Sequence, residues 1–241
     1  MSGFLGGKRA LVTGASKGIG LAVAQALAVN GADVAICARN KTDVEKSTNK
    51  LRDGGGGKVM GRTADVGKSG DVTKLFEFVD KELNGLDILV NNAGIGIFRA
   101  AGELSIEEWD QVIGTNLSGA FYCTREALSR FGKARGGRII NISSLAGKNP
   151  FAGGSAYNAS KFGLNALSEA TMLDHRYDNV GVSYIMPGSV ATEFSGEGGR
   201  GNSDWKIAPE DIAEIVLSIL RMPERTLISR IEVRPSRPQK N

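Results

Sequence analysis

The chain has 241 residues, of which 41% are hydrophobic and 23% are charged, so one soluble globular domain is expected over residues 1–241. One histidine and two cysteines exclude a multi-histidine metal centre and a disulfide-stapled scaffold, and no metal site is expected. The net charge is +4, but the basic residues are scattered without interleaved aromatic residues, which argues against a nucleic-acid partner. Because the N-terminal residues contain no long apolar run, neither a signal peptide nor a membrane span is expected, and the predicted location is cytoplasmic.

Short β-branched runs alternate along the chain with longer amphipathic segments. The predicted strands are Arg9–Thr13, Asp33–Ala38, Lys58–Thr63, Leu86–Asn91, Gly137–Ile142, Gly181–Met186 and Leu227–Val233. The predicted helices are Ile19–Asn30, Asp43–Asp53, Asp71–Leu83, Glu107–Phe131, Ser155–Tyr177 and Pro209–Arg221. Several strands are apolar almost throughout, which suits a sheet covered on both faces. The sequence therefore predicts an α/β fold: a single-domain, doubly wound (Rossmann-type) parallel sheet of about seven strands with helices on both faces.

A glycine-rich turn, TGASKGIG at residues 13–20, joins the first predicted strand to the first predicted helix. Such a turn brings backbone amides and the positive end of a helix close to a pyrophosphate without interference from side chains. Its spacing is G-x-x-x-G-x-G, which differs from the commoner dinucleotide pattern, and a turn that merely packs closely is the alternative. The position at the first strand–helix junction favours a dinucleotide site. The predicted contacts in this turn are Gly14, Ser16, Lys17, Gly18, Ile19 and Gly20.

The end of the second strand indicates which dinucleotide is bound. NAD-binding folds place a carboxylate there to bond the adenosine ribose, whereas this strand ends in Arg39 and Asn40, and Asp33 lies at its opposite end. Arg39, together with Lys17, would pair with a 2′-phosphate. Two solvated surface cations are the alternative. The pattern predicts NADP(H) as the cofactor, with Arg39 and Asn40 among its contacts.

Four polar side chains are candidates for chemistry at the same sheet edge. Tyr157 and Lys161 are four residues apart and share one helix face, and a nearby ammonium lowers the pKa of a phenol so that it can exchange a proton near neutral pH. Ser144 follows the apolar strand that ends at Ile142, where doubly wound folds bind ligands, although turn or helix capping would also explain it. Asn116 lies in an apolar helical pattern, where a hydrogen-bonded core asparagine is the more common role.

In this order the motifs resemble those of the short-chain dehydrogenase/reductase family over essentially the whole chain: the T-G-x-x-x-G-x-G turn, N-N-A-G, a helix asparagine, a serine, Y-x-x-x-K and P-G-x-x-x-T. The resemblance implies that Tyr157 exchanges the proton, and that Lys161 lowers its pKa and binds the nicotinamide ribose. It implies that Ser144 hydrogen-bonds the substrate oxygen and that Asn116 holds a water in a proton relay. Further implied cofactor contacts are Asp65, Val66, Asn92, Ala93, Gly94, Pro187, Gly188, Val190 and Thr192.

The activity implied by the resemblance is hydride transfer from NADPH to a ketone or aldehyde, reversible as alcohol oxidation. Reduction of a 3-oxoacyl chain on a carrier protein is an alternative, with Arg125, Arg130, Lys133 and Arg135 as candidate docking cations. A non-catalytic NADP(H)-binding sensor is an alternative from another functional class. The presence of all four polar side chains argues against it, because binding alone does not require the serine and the tyrosine. A sugar epimerase or dehydratase is disfavoured because the chain has no room for an added sugar-nucleotide domain.

Two segments depart from the family pattern. The glycine-rich stretch Ser195–Asn202 predicts a small mobile lid or a surface loop. The C-terminus lacks the D-G-G ending of many tetrameric relatives, so a homodimer formed by the helices Glu107–Phe131 and Ser155–Tyr177 is predicted beside a homotetramer. Residues 235–241 are expected to be a poorly ordered tail.

Overall fold

The structure, a computed structural model, describes residues 3–131, 136–192, 194 and 204–238. Within these ranges seven parallel strands form one sheet in the order β3-β2-β1-β4-β5-β6-β7. The strands are β1 (Arg9–Thr13), β2 (Asp33–Ala38), β3 (Val59–Thr63), β4 (Ile88–Asn91), β5 (Gly137–Ile142), β6 (Val180–Pro187) and β7 (Arg230–Val233). The predicted Rossmann-type parallel sheet is confirmed.

Helices connect successive strands. The α-helices are α1 (Gly18–Val29), α2 (Lys41–Asp53), α3 (Ser69–Leu83), α4 (Ile106–Ile113), α5 (Gly119–Arg130), α6 (Ser155–His175) and α7 (Pro209–Leu220). Short 3₁₀ turns cover Leu145–Gly147 and Arg176–Asp178. As the sequence predicts, α7 begins with proline at its first position and with carboxylates in its first turn, where they favour the positive end of the helix.

The two faces of the sheet carry separate apolar cores because side chains alternate along each strand. In β1, Ala10 and Val12 belong to the core covered by α1 and α7, whereas Leu11 belongs to the core covered by α3 and α5. Cys37 and Cys123 lie in the second core as free, buried thiols, as predicted for small core residues. Helices on both sides of the sheet therefore leave its carboxyl edge as the open side.

Two predicted elements differ from the structure by more than a shift of one or two residues at an end. The single helix predicted over Glu107–Phe131 is divided by a π-helical turn at Gly114–Ser118, which joins α4 to α5. A π turn inserts an extra residue into the helix and is common near functional sites. The last strand begins at Arg230 rather than at Leu227, because the carbonyl of Ile228 accepts a hydrogen bond from the Ser183 hydroxyl at 2.7 Å instead of a partner in the strand ladder.

The order of the strands reverses between β1 and β4, which is where doubly wound sheets bind ligands. Just inside this edge, a buried polar chain links the central strands to a helix. The Asn91 amide donates to Asn141 Oδ1 at 2.9 Å, and the Asn141 amide donates to Ser168 Oγ at 2.8 Å. These bonds connect β4, β5 and α6, so they fix the helix that carries Tyr157 and Lys161 against the sheet.

Candidate active site

A cavity of about 710 Å³ opens at the carboxyl edge of the sheet, within the size range of small-molecule and cofactor sites. It brings together nearly all the residues predicted for the site. Those on its wall are Gly14, Ser16, Lys17, Gly18, Ile19, Arg39, Asn40, Asp65, Val66, Asn92, Ala93, Gly94, Ser144, Tyr157, Lys161, Pro187, Gly188, Val190 and Thr192. Gly20 and Asn116 are predicted site residues that do not line it.

The glycine turn is held open by contacts with the segment after β4. Gly14 has a φ of +63°, and a Cβ there would lie 2.7 Å from the Cα of Ala93, so only glycine fits. The Thr13 hydroxyl accepts hydrogen bonds from the Asn92 and Ala93 amides at 3.0 and 3.1 Å. The Asn92 side chain donates back to the carbonyls of Thr13 and Gly14 at 2.9 and 3.0 Å. Asn92 thus shapes the turn as well as lining the cavity.

Gly20 has a packing role behind the glycine turn. A Cβ on Gly20 would lie 2.4 Å from the Asn92 amide nitrogen and 2.5 Å from the Gly14 carbonyl oxygen. The residue is buried behind the turn. Its missing side chain allows Asn92 to approach, and the turn in front of it faces the cavity; a contact of Gly20 with the cofactor stays a prediction.

The first turn of α1 faces the cavity without a capping side chain or an acidic residue, so it can bind an anion. Lys17, at the N-cap position, makes no side-chain capping hydrogen bond, and no acidic residue occupies the first turn. The first backbone amides of a helix need acceptors, and its positive end favours a negative group there. Arg39 lies exposed on the same cavity wall beyond the end of β2, as does Lys17. Two cations and a helix N-terminus therefore border one end of the cavity.

Two predicted contacts near this end also stabilise local structure. The Asn40 side chain accepts a hydrogen bond from the Asp43 amide at 3.1 Å and so caps α2. Asp65 Oδ1 accepts from the Gly67 amide at 3.1 Å. Both residues still line the cavity, with Asn40 beside Arg39 and Asp65 beside Val66. They define its shape at the end remote from Tyr157.

Tyr157 and Ser144 meet at the other end of the cavity. Burial raises the pKa of the Tyr157 hydroxyl above its ordinary value, and a hydrogen bond with Ser144 acts in the opposite direction. Ser144 Oγ also accepts from the Ala146 amide at 3.1 Å and caps the 3₁₀ turn that follows β5. The capping interpretation of the serine therefore holds, and the same hydroxyl bonds the tyrosine, whereas its contact with the substrate oxygen stays a prediction. At neutral pH the phenol carries its proton and borders the open space.

Lys161 lies one helical turn beyond Tyr157 and is 4% exposed. Its Nζ donates to the carbonyl oxygen of Ile142 at 2.9 Å, and burial lowers its pKa from 10.5 to about 8. The ammonium lies 5.8 Å from the centroid of the Tyr157 ring. Burial raises the pKa of the tyrosine above its ordinary value, and the expectation that Lys161 lowers it stays a prediction.

Asn116 occupies the π turn and faces the protein interior instead of the cavity. Its Oδ1 accepts from the Ile95 amide at 2.8 Å, and its amide donates to the Ile95 carbonyl at 2.9 Å and to Ser160 Oγ at 3.0 Å. These bonds fasten the loop after β4 to α6, next to Lys161. Asn116 is thus buried behind the cavity wall, and its role in holding a relay water stays a prediction.

Comparisons with known proteins agree with this geometry. The family described as short chain dehydrogenase matches residues 8–202 of the chain. The chain belongs to the short-chain dehydrogenase family. It is 32% identical to an uncharacterised oxidoreductase of Staphylococcus saprophyticus, over 95% of this chain and 97% of that protein. As a member of this family, it is an oxidoreductase.

Two solved structures are similar to this chain in fold as well as in sequence. An alcohol dehydrogenase of the archaeon Thermococcus sibiricus, solved with 5-hydroxy-NADP, superposes with a TM-score of 0.89 at 31% identity, covering 97% of this chain and 99% of that one. A single-residue variant of actinorhodin polyketide ketoreductase, solved with NADPH, gives a TM-score of 0.86 at 29% identity, covering 95% and 96% of the two chains. Both likenesses extend over nearly the whole of this chain.

Several residues of this short-chain dehydrogenase border the cavity without having been predicted. They are Cys37, Ala38, Asp43, Ala64, Ile95, Thr115, Ile142, Ser143, Ser189, Phe194, Trp205 and Lys206. Five of them lie at or directly after the carboxyl end of a strand, and that position alone could have indicated them: Cys37, Ala38, Ala64, Ile142 and Ser143. Phe194 and Trp205 flank the predicted lid Ser195–Asn202, which lies outside the described residues. Nothing in the sequence spacing indicates that these two rings reach the cavity.

The candidate docking patch for a carrier protein stays a prediction for this short-chain dehydrogenase, and Arg125 lies exposed on α5. Arg130 is held by Asp80 at 2.8 Å and by Glu126 at 2.7 Å, so its guanidinium is already paired. Lys133 and Arg135 lie outside the described residues.

Along the described chain, no helix is long and apolar enough to cross a membrane.

Apolar side chains are exposed on the helices predicted to pair across a dimer. They are Ile106, Trp109, Phe121, Phe162 and Leu173, on α4, α5 and α6. Exposed apolar surface of this kind is common at protein interfaces. A homodimer or homotetramer stays a prediction, as does poor order of the tail, which is described only as far as Pro238.

Proposed function

We propose that this short-chain dehydrogenase reduces a ketone or aldehyde with NADPH, and that Tyr157 donates the proton. The observation that carries the proposal is the Tyr157 hydroxyl, protonated at neutral pH and hydrogen-bonded to Ser144, on the wall of the same cavity as the glycine turn and Arg39. The polyketide ketoreductase solved with NADPH, which has the same fold, supports both the cofactor and the reaction.

The residues present fit NADP(H). The uncapped start of α1 and the glycine turn would hold the pyrophosphate, and Arg39 with Lys17 would hold the 2′-phosphate. Asp65 and Val66 would border the adenine, and Lys161 would bond the nicotinamide ribose. Thr192 would lie at the nicotinamide end, where its methyl group would be 3.1 Å from a Cβ on Gly18, so that segment closes over the turn.

The chemistry divides between cofactor and protein. NADPH, when bound, supplies the hydride that reduces the carbonyl carbon. Ser144 and Tyr157 hydrogen-bond the carbonyl oxygen, hold it in place and stabilise the negative charge that develops on it. The C=O double bond becomes one C–H and one O–H bond, and Tyr157 gives the proton of the O–H. Lys161, buried and charged below pH 8, stabilises the phenolate that remains.

After the reaction, a proton must return to Tyr157 from solvent. Lys161 lies behind the tyrosine, and the absence of a side chain at Gly94 leaves open space between the Lys161 ammonium and Asn116 Oδ1. A Cβ at Gly94 would lie 3.8 Å from the former and 3.4 Å from the latter. We propose that water in this space links the lysine to solvent, with Asn116 holding the loop that encloses it.

The reaction is tested by following NADPH absorbance with a panel of ketones, aldehydes and 3-oxoacyl thioesters. Consumption of NADPH with at least one ketone or aldehyde is expected. Preference for a carrier-bound thioester over all free carbonyls would favour the 3-oxoacyl alternative. Tight NADPH binding without turnover of any carbonyl would contradict the proposal and indicate a binding protein.

The cofactor is tested by the variant Arg39→Ala. We expect its dissociation constant for NADPH to rise about tenfold or more while its affinity for NADH stays unchanged, because only the 2′-phosphate loses its guanidinium partner. Fluorescence titration of both cofactors measures the change. Lys46→Ala is the matched control, since Lys46 is an exposed cation on α2 outside the cavity. Equal affinity of the unmodified protein for NADPH and NADH would refute the cofactor assignment.

A further inference from the structure

Three phenylalanine rings surround the ring of Tyr157. Their centroids lie 5.6 Å (Phe98), 5.7 Å (Phe194) and 6.4 Å (Phe151) from its centroid, and the Phe98 ring meets it edge to face at 76°. Phe98 and Phe151 are 5.7 Å apart. The three phenylalanines keep between 40% and 45% of their surface exposed. This aromatic cluster (Tyr157, Phe98, Phe151 and Phe194) therefore presents apolar surface around the Tyr157 ring. Phe194 lines the cavity, and Phe98 and Phe151 extend the apolar surface beyond its wall.

Backbone contacts hold the cluster together. An isolated β-bridge pairs Arg99 with Gly154, so the segments that carry Phe98 and Phe151 are joined. The Asn158 side chain, which is buried, donates to the Phe151 carbonyl at 2.9 Å. The backbone that carries Phe151 is thus fixed both to the Phe98 segment and to α6.

The missing side chain of Gly96 lets two of the rings approach the loop after β4. A Cβ at this position would lie 2.6 Å from Phe98 Cζ and 2.9 Å from Phe194 Cε1, distances that real side chains do not reach. On the Phe194 side, a second β-bridge joins Val190 to Ile207 and fixes the segments on either side of the glycine-rich stretch. The cluster is therefore preorganised, and an arriving ligand does not have to assemble it.

The charges around the cluster favour a neutral occupant. Lys161 lies 5.8 Å from the Tyr157 ring centroid, and Lys206 lines the same cavity, so a cationic ligand in the cavity would meet two ammonium groups. The negatively polarised faces of aromatic rings disfavour an anionic ligand. Arg99, the nearest guanidinium along the chain, is paired with Glu108 at 2.9 Å.

We propose that the substrate is an aryl ketone or aryl aldehyde whose neutral aromatic ring lies against Phe98, Phe151 and Phe194 while its carbonyl oxygen faces Tyr157. The proposal rests on the carbonyl reduction proposed above and specifies its substrate class. An aromatic ring can make offset or edge-to-face contacts with several of the exposed rings at once, and such contacts stabilise a complex beyond the area they bury. A saturated ring of the same size gains only the buried area.

The test compares acetophenone with cyclohexyl methyl ketone, which has the same number of heavy atoms but a saturated ring. Because the two ketones differ in intrinsic reactivity, the quantity measured is the change in the ratio of their kcat/KM values between wild type and the variants Phe98→Leu and Phe194→Leu. We expect this ratio to fall about tenfold in each variant while the value for the cyclohexyl ketone changes less than about threefold. Phe4→Leu is the control, because Phe4 is 44% exposed and packs beneath Arg221 away from the cavity.

A second readout does not require turnover. Saturation-transfer NMR on the protein without cofactor should show acetophenone bound and displaced less effectively by the cyclohexyl ketone, with the signal reduced in Phe194→Leu. An unchanged ratio in both phenylalanine variants would overturn the aromatic subsite, as would preferred reduction of a quaternary ammonium aldehyde. Reduction of aliphatic ketones with no binding of acetophenone would overturn it while the proposed function stands. Binding of acetophenone through these rings without reduction of any carbonyl would support the subsite and overturn the proposed function.

Discussion

Replacing Tyr157 with phenylalanine should lower kcat for carbonyl reduction by about 10²–10⁴-fold, the usual contribution of a positioned general acid. The change removes one oxygen atom, so the ring can keep its contacts with Phe98 and Phe194. Affinity for NADPH should stay within about twofold, because the phosphate contacts are unaffected. Steady-state kinetics with any accepted ketone and a fluorescence titration of NADPH measure the two quantities.

The matched control is Tyr177→Phe. Tyr177 is 93% exposed and follows α6 in the turn Arg176–Asp178, so loss of its hydroxyl should leave both kcat and NADPH affinity unchanged. If Tyr157→Phe keeps the wild-type rate, the tyrosine serves only to support the fold, and the proposed proton donor is wrong. Ser144→Ala should give a smaller loss in kcat, since Tyr157 would still deliver the proton.

Replacing Lys161 with methionine should make the protein more stable and less active at once. The folded-state pKa of Lys161 is about 8, against 10.5 for a free lysine, so below pH 8 the fold buries a charge at a cost of about 3 kcal/mol. Methionine removes that cost but also the donor to the Ile142 carbonyl, worth about 1 kcal/mol. We expect a net gain of about 2 kcal/mol in the free energy of unfolding at pH 7, and a loss of about a hundredfold or more in kcat/KM.

The pH dependence of the stability distinguishes removal of the buried Lys161 charge from improved packing of the methionine. The folded pKa is depressed for a base, so the folded state binds fewer protons than the unfolded state between pH 8 and 10.5. The stability of wild type relative to Lys161→Met should therefore be lowest below pH 8 and should recover as pH rises towards 10.5. Urea unfolding at pH 7 and pH 10 measures it. The control Lys41→Met changes an exposed lysine on α2, so its stability relative to wild type should show no such pH dependence. A difference in stability between wild type and Lys161→Met that is the same at pH 7 and pH 10 would contradict the explanation by charge burial.

Local patterns were sufficient for the framework of this site. The glycine turn and the Tyr157–Lys161 pair are each contained within a few residues, and the geometry of a turn or of one helical turn fixes how their side chains relate. Strands that are apolar almost throughout predicted the sheet, because covering both of its faces requires that pattern. The position of Ser144 two residues after the end of β5 was likewise enough to bring it to the carboxyl edge.

Other features depended on contacts between distant segments. Gly20 has the glycine spacing of a cofactor contact, yet the approach of Asn92 from another strand gives it a packing role. Asn116 turns inward because a π turn rotates it towards Ile95, and helical periodicity does not predict that extra residue. The aromatic cluster joins rings from distant segments, and no spacing within the sequence relates them.

The sequence by itself determined the family, the parallel sheet and the identity of the candidate reacting side chains, because chain geometry over a few residues specifies them. The tertiary structure alone decided the ionisation of Tyr157 and Lys161, since a pKa depends on how completely the surrounding chain removes a group from water. It also decided which rings face the tyrosine, since packing between loops sets the distance between residues that the sequence separates.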